Sequence, residues 1–166
     1  MLKKKICMVG HFGVGKTALV RRFVESMFDE RYLTTVGVRI DKKDIVLRER
    51  PLTLMLWDIA GKDDLAEVKL SHLSGASGYI LVVDGCRAST LQTAVELRER
   101  IAKMFGPLPF VMAVNKADLA DQWEVQRADV AACGWTSFET SAKLGSGVEE
   151  MFLALAKKLL PEDSAG

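Results

Sequence analysis

The chain has 166 residues and a formal net charge of +1. Hydrophobic residues make up 49% and charged residues 27%, a balance that excludes disorder and lets a single domain bury about 70% of the surface its unfolded chain exposes. The near-neutral charge excludes binding driven by a global field, whether to nucleic acid or to an anionic membrane.

Short apolar runs alternate with longer segments of helical period. The runs are Ile6–Val9, Val36–Leu47, Leu52–Trp57, Tyr79–Val83, Phe110–Val114 and Trp135–Phe138. Most are continuous and β-branched, as strands buried on both faces are. The second and third differ. Leu52, Leu54 and Leu56 alternate with Thr53, Met55 and Trp57, and Arg48-Glu49-Arg50-Pro51 reads as a turn between them. This predicts an antiparallel hairpin at one edge of an otherwise parallel sheet of six strands.

Helices are expected over Lys16–Met27, weakly over 64–74, over 89–105, briefly over 126–132 and over 147–160. In 89–105, Leu91, Ala94, Leu97, Ile101 and Met104 share one face. In 147–160, Val148, Met151, Phe152, Leu155 and Leu159 form a core stripe. Strand–helix alternation predicts a doubly wound α/β fold with helices on both faces, and residues 1–166 are read as one domain. Such sheets bind ligands beyond the carboxyl ends of their strands.

The first strand-to-helix loop reads Gly10-His11-Phe12-Gly13-Val14-Gly15-Lys16-Thr17, or G-x4-G-K-T. Glycines let the backbone curl so that successive N–H groups face phosphate oxygens, and the helix N-terminus adds partial positive charge. Lys16 is expected on the β- and γ-phosphates and the Thr17 hydroxyl on Mg²⁺. Alone, this motif says nucleoside triphosphate without naming the base. The third run ends Trp57-Asp58-Ile59-Ala60-Gly61. Asp58 suits a Mg²⁺ ligand, and Gly61 lets a backbone N–H approach the γ-phosphate.

The fifth run ends Asn115-Lys116-Ala117-Asp118. An Asp carboxylate only accepts, so it matches the N1–H and N2 amino donors of guanine; adenine offers no such pair. The last strand leads into Glu139-Thr140-Ser141-Ala142-Lys143, where the Ala142 N–H suits the guanine O6.

The words GHFGVGKT, YLTTVG, WDIAG, NKAD and ETSAK, in this order and spacing, make residues 4–160 resemble the Ras superfamily of small GTPases, most of all its Rab-like branch. The resemblance implies a G domain that switches between GTP and GDP forms. It places Phe28 against the guanine edge, Tyr32 over the phosphates and Thr35 as a second Mg²⁺-binding hydroxyl. The nucleotide-binding set is then Gly13, Val14, Gly15, Lys16, Thr17, Ala18, Phe28, Tyr32, Thr35, Gly61, Asn115, Lys116, Asp118, Ser141, Ala142 and Lys143. The metal set is Thr17, Thr35 and Asp58, and the catalytic set is Lys16, Gly61 and Lys62. Effector, exchange-factor and activating proteins are expected at residues 30–40 and 61–75, on a monomer.

Two positions depart from the family pattern. Lys62 stands where the family has Gln, and a charged lysine cannot hold the attacking water as an amide does. It is read as a lysine without catalytic part, as a cause of impaired hydrolysis, or as a direct phosphate contact. Phe12 stands where the family has a small residue. Its ring either blocks an activator's arginine or water, or folds outward. Slow hydrolysis is expected, with a GTP-locked interaction module as the alternative.

The cysteines Cys7, Cys86 and Cys133 lack CxxC spacing and read as reduced thiols of a cytoplasmic protein. Leu2 excludes myristoylation, and the tail Pro161–Gly166 offers no cysteine for prenylation. No lipid anchor is expected in this chain, which suggests a prokaryotic or soluble member. His11 and His72 have no metal-ligand partners at the usual spacing and are expected to be solvated.

Overall fold

The computed structural model describes residues 2–24, 32–33, 38–59 and 70–160. Strand β1 (Leu2–Gly10) leads to helix α1 (Lys16–Val24), then to β2 (Tyr32–Leu33), β3 (Val38–Leu47) and β4 (Arg50–Ile59). After a 3₁₀ turn at Leu70–Leu73 come β5 (Gly78–Asp84), α2 (Ser89–Phe105) and β6 (Phe110–Asn115). A second 3₁₀ turn (Ala117–Gln122), α3 (Arg127–Ala132), β7 (Ser137–Thr140) and α4 (Val148–Leu159) complete the order.

The sheet order is β2-β3-β4-β1-β5-β6-β7. β4, β1, β5, β6 and β7 run parallel, while β3 is antiparallel to β4. The six expected strands are all present, and the two-residue β2 pairs antiparallel outside them. The β3–β4 hairpin turns on Arg48 and Glu49 alone, with φ of 50° and 62° and Leu47 opposite Arg50. Two left-handed residues in a two-residue loop match the right-handed twist of the flanking strands. Arg50 and Pro51, expected in the turn, are therefore already strand.

Period-two alternation divides the core between the two faces. Ile6 and Met8 join Leu52, Leu54 and Leu56 beneath α1 and α4, while Cys7 and Val9 join Tyr79, Leu81 and Val83 beneath α2. All seven residues of β5 are buried, which explains its unbroken apolar run. Phe23 of α1 stacks on Phe152 of α4 with ring centroids 4.2 Å apart. The five stripe residues of α4 are all buried.

Several local expectations shift. Met104 is exposed, because Phe105, four residues beyond Ile101, packs on the sheet instead. The last strand begins at Ser137 rather than Trp135, since Met112 pairs with Ser137 and Asn115 with Thr140. Trp135 packs edge-on against Phe110. Within 64–74 the described part is the 3₁₀ turn, where His72 is half-buried with its Nε2 inside rather than solvated. Residues 25–27 of the first expected helix lie outside the described residues. The three cysteines are free thiols. No helix among the described residues is long and apolar enough to cross a membrane.

Candidate functional site

The carboxyl ends of β1, β4, β5, β6 and β7 converge on the loop Gly10–Thr17. That loop leaves β1 and curls back before α1, with Gly13 at φ 76° and Gly15 at φ 102°. Both values lie in the left-handed region that side chains avoid. At Gly15 space is also closed: a Cβ there would sit 2.3 Å from the Asn115 Nδ2. The Lys16 ammonium is buried within the curl and donates to the carbonyls of Gly10 (3.0 Å) and His11 (3.1 Å). Burial holds its pKa below the ordinary lysine value; Asp58 pulls it upward, and Arg87 adds to the lowering.

The Thr17 hydroxyl donates to the Asp58 carboxylate at the end of β4. Asp58 is 3% exposed, and its Oδ1 is buried with no hydrogen-bond partner among the described residues. A buried carboxylate oxygen in that position suits a cation or a donor. One hydroxyl and one carboxylate are hard oxygen donors, so the pair fits Mg²⁺. Phe12, Gly13, Gly15, Lys16, Thr17, Ala18 and Asp58 bound a cavity of about 320 Å³. Phe12 is 52% exposed at its rim.

Gly15 and Ala18 also border a second cavity, of about 290 Å³, closed by Asn115, Lys116, Asp118, Leu119, Ala142 and Lys143. The two cavities thus adjoin along the first turn of α1. Asn115 ties the parts together: its Nδ2 donates to the Val14 carbonyl (3.1 Å), and its Oδ1 accepts from the Thr140 hydroxyl (3.2 Å) and the Ala142 N–H (3.3 Å). The buried Ser141 donates its hydroxyl to Asp118 Oδ1 at 2.8 Å, which orients that carboxylate. Lys143 is exposed at the edge. A larger cavity of about 530 Å³, between Arg22, Lys43 and Glu149, lies behind this loop and touches none of Lys16, Thr17, Asp58 or Asp118.

The described structure therefore brings together Gly13 to Ala18, Asp58, Asn115, Lys116, Asp118 and Ser141 to Lys143. Phe28, Thr35, Gly61 and Lys62, and the side chain of Tyr32, lie outside the described residues, as does most of 30–40 and 61–75.

Sequence reasoning missed a group beside these loops. Asp84, 1% exposed at the end of β5, accepts from the Cys86 N–H (2.9 Å), Arg87 Nε (3.0 Å) and Lys116 Nζ (2.8 Å). Burial pushes its pKa up, but the hydrogen bonds from Lys116, Cys86 and Arg87 outweigh that and hold it below the usual carboxylate range. A carboxylate closing the run Val82-Val83-Asp84 at a strand's carboxyl end was the available signal. Trp123 covers Gly85 so closely that a Cβ there would meet its ring at 2.2 Å, and the Trp123 Nε1 donates to the Lys116 carbonyl.

The profile of the Ras family matches residues 5–161. The chain is 31% identical to Ras-related protein RABG3f of Arabidopsis thaliana, over 94% of this chain and 82% of that protein. It is 30% identical to Ras-related protein Rab-7a of Dictyostelium discoideum over the same shares. It is also 30% identical to Ras-related protein RABG1 of Arabidopsis thaliana, over 97% of this chain and 85% of that protein.

Proposed function

The chain belongs to the Ras family, as a Rab-like small GTPase and GTP-binding molecular switch, and on that premise we propose that its switch runs on slow hydrolysis of Mg²⁺-bound GTP held between the loop Gly10–Thr17 and the loops at Asn115–Asp118 and Ser141–Lys143. The observation that carries this reading is the adjacency of the two cavities: one holds Lys16, Thr17 and an Asp58 oxygen with no partner among the described residues, and the other holds Asp118 and the Ala142 loop. One end suits polyphosphate with a divalent cation, and the other suits a base that donates two hydrogens.

In this reading Thr17 and Asp58 hold Mg²⁺, with Thr35 joining in the GTP form. When bound there, the ion would neutralise phosphate charge. Lys16, now bonded to its own loop's carbonyls, turns its ammonium to the phosphates as they enter. The Gly61 N–H approaches the γ-phosphate, and Phe28 and Tyr32 close the nucleotide in. Residues 30–40 and 61–75 report the γ-phosphate to effector, exchange and activating proteins.

Two substitutions argue for slow chemistry. Lys62 cannot orient water as the family's Gln does. Phe12 sets a half-exposed ring on the rim of the phosphate cavity, where an activator's arginine would enter. That ring also favours a second reading, a GTP-locked interaction module with almost no turnover.

Single-turnover hydrolysis of bound GTP with Mg²⁺ tests both, comparing wild type with Lys62→Gln and Phe12→Gly. Slow turnover raised roughly a hundredfold by Lys62→Gln, about 2.7 kcal/mol of transition-state stabilisation, is the expected result. Wild type as fast as its Lys62→Gln variant refutes slow hydrolysis through Lys62. No measurable turnover in wild type selects the locked module.

A further inference from the structure

We propose that Arg87 is a positioning residue for nucleotide binding, holding the Phe12 carbonyl outward so that the Gly13 N–H faces the phosphates. The Arg87 Nη2 donates to the Phe12 carbonyl at 2.8 Å, across 75 residues of sequence. A trans peptide points its C=O and the next N–H in opposite directions. Fixing the Phe12 carbonyl on the arginine side therefore aims the Gly13 N–H the other way, toward the cavity that Gly13 borders with Lys16 and Thr17. A phosphate loop works only while its carbonyls stay out and its N–H groups stay in, since an inward carbonyl would repel the anion.

The arginine is itself held at both ends. Its Nε donates to Asp84 at 3.0 Å, and the Arg87 carbonyl accepts from the N–H (3.0 Å) and hydroxyl (2.7 Å) of Thr90, a residue with no exposure. Gly13 leaves room for the guanidinium: a Cβ there would stand 3.3 Å from Nη2. Asp84 Oδ2 also receives Lys116 Nζ. One carboxylate oxygen thus joins the phosphate loop, through Arg87, to the base loop, through Lys116. A guanidinium donates in two fixed directions at once, which an ammonium on a flexible stem does not reproduce.

This inference rests on the guanine-nucleotide reading of the site. The test is displacement of a fluorescent GDP analogue, with GDP and GMP affinities measured by calorimetry, for wild type, Arg87→Ala and Arg87→Lys. Both variants keep Asp84 bonded to Lys116 and the Cys86 N–H, so the fold survives. The expected result is GDP release about tenfold faster in both, the scale of one lost charge-assisted hydrogen bond. The preference for GDP over GMP falls by about the same factor, because the loop loses its hold on the second phosphate. Unchanged release in Arg87→Ala overturns the proposal. So does equal weakening of GDP and GMP, which marks a general loosening, or wild-type behaviour in Arg87→Lys, which marks charge alone. Wild type that binds neither nucleotide overturns the guanine-nucleotide reading, and this inference with it.

Discussion

The two ends of the nucleotide site are built differently. The proposed phosphate end is chiefly one continuous stretch, Gly10–Thr17, which offers backbone N–H groups, one lysine and one hydroxyl, with Asp58 added from β4. The base end draws on segments far apart in sequence, Asn115–Asp118 and Ser141–Lys143, and relies on side chains that orient other side chains. Asn115 reaches 101 residues back to Val14, and Ser141 reaches 23 residues back to Asp118. A continuous loop is shaped mainly by its own glycines and by the strand and helix that flank it, with Arg87 and Asn115 each holding one of its carbonyls. An assembled pocket is only as good as the bonds between its pieces. The base end is therefore the more fragile under single substitutions, and Asn115, which serves both ends, is its weakest point.

Asn115→Ala should have the largest effect. It strips partners from the Val14 carbonyl, the Thr140 hydroxyl and the Ala142 N–H together, in a place only 2% exposed. Each orphaned group costs about 1–3 kcal/mol. A total near 3 kcal/mol lowers the midpoint of thermal unfolding by about 6–12 °C in a chain of this size. The protein should also purify without nucleotide. Retention of GDP together with a wild-type melting midpoint would mean that the two ends are held by something other than this amide.

Asp118→Ala should separate the ends instead of breaking both. Guanine and hypoxanthine share N1–H, but only guanine has the N2 amino group. Removing the carboxylate should collapse the preference for GDP over inosine diphosphate by about tenfold to 150-fold, the worth of a hydrogen bond to a charged group. The melting midpoint should fall less than in Asn115→Ala, because Asp118 is half-buried and its removal takes a partner from the Ser141 hydroxyl alone. Competition between the two diphosphates checks this. An unchanged preference would move base reading away from Asp118.

The same contrast decides what was legible in the sequence. The phosphate loop, NKAD and ETSAK could be read because each ends a strand and keeps its functional groups within a few residues. Strand alternation also revealed the hairpin, since Leu52, Leu54 and Leu56 bury one face of β4. What could not be read depends on register across the sheet. Arg87 meets Asp84 three residues along the chain, but that Asp84 lies opposite Asn115, within reach of Lys116, follows from the β5–β6 pairing and not from any local pattern. Trp123 over Gly85 is likewise a tertiary contact with no periodicity behind it. The exposed Met104 and the start of β7 two residues late are shifts of one or two positions, which packing partners decide.

Acid titration of Asp84 should give the smallest effect, and it probes the link between the ends. Its folded pKa lies below the ordinary carboxylate value because bonds from Lys116, Cys86 and Arg87 outweigh burial. For a depressed acid, the unfolded chain takes up the proton first. Its stabilisation is therefore fully present above the unfolded value of about 3.9, and it is lost as pH falls through the folded value. Asp84→Asn removes that charge while keeping the shape of the side chain. Urea unfolding at pH 5 and pH 3 should find the variant less stable than wild type at pH 5, with the gap narrowing at pH 3. A gap that stays constant across this range would mean that Asp84 holds Arg87 and Lys116 by hydrogen-bond geometry alone, with no stability carried by its charge.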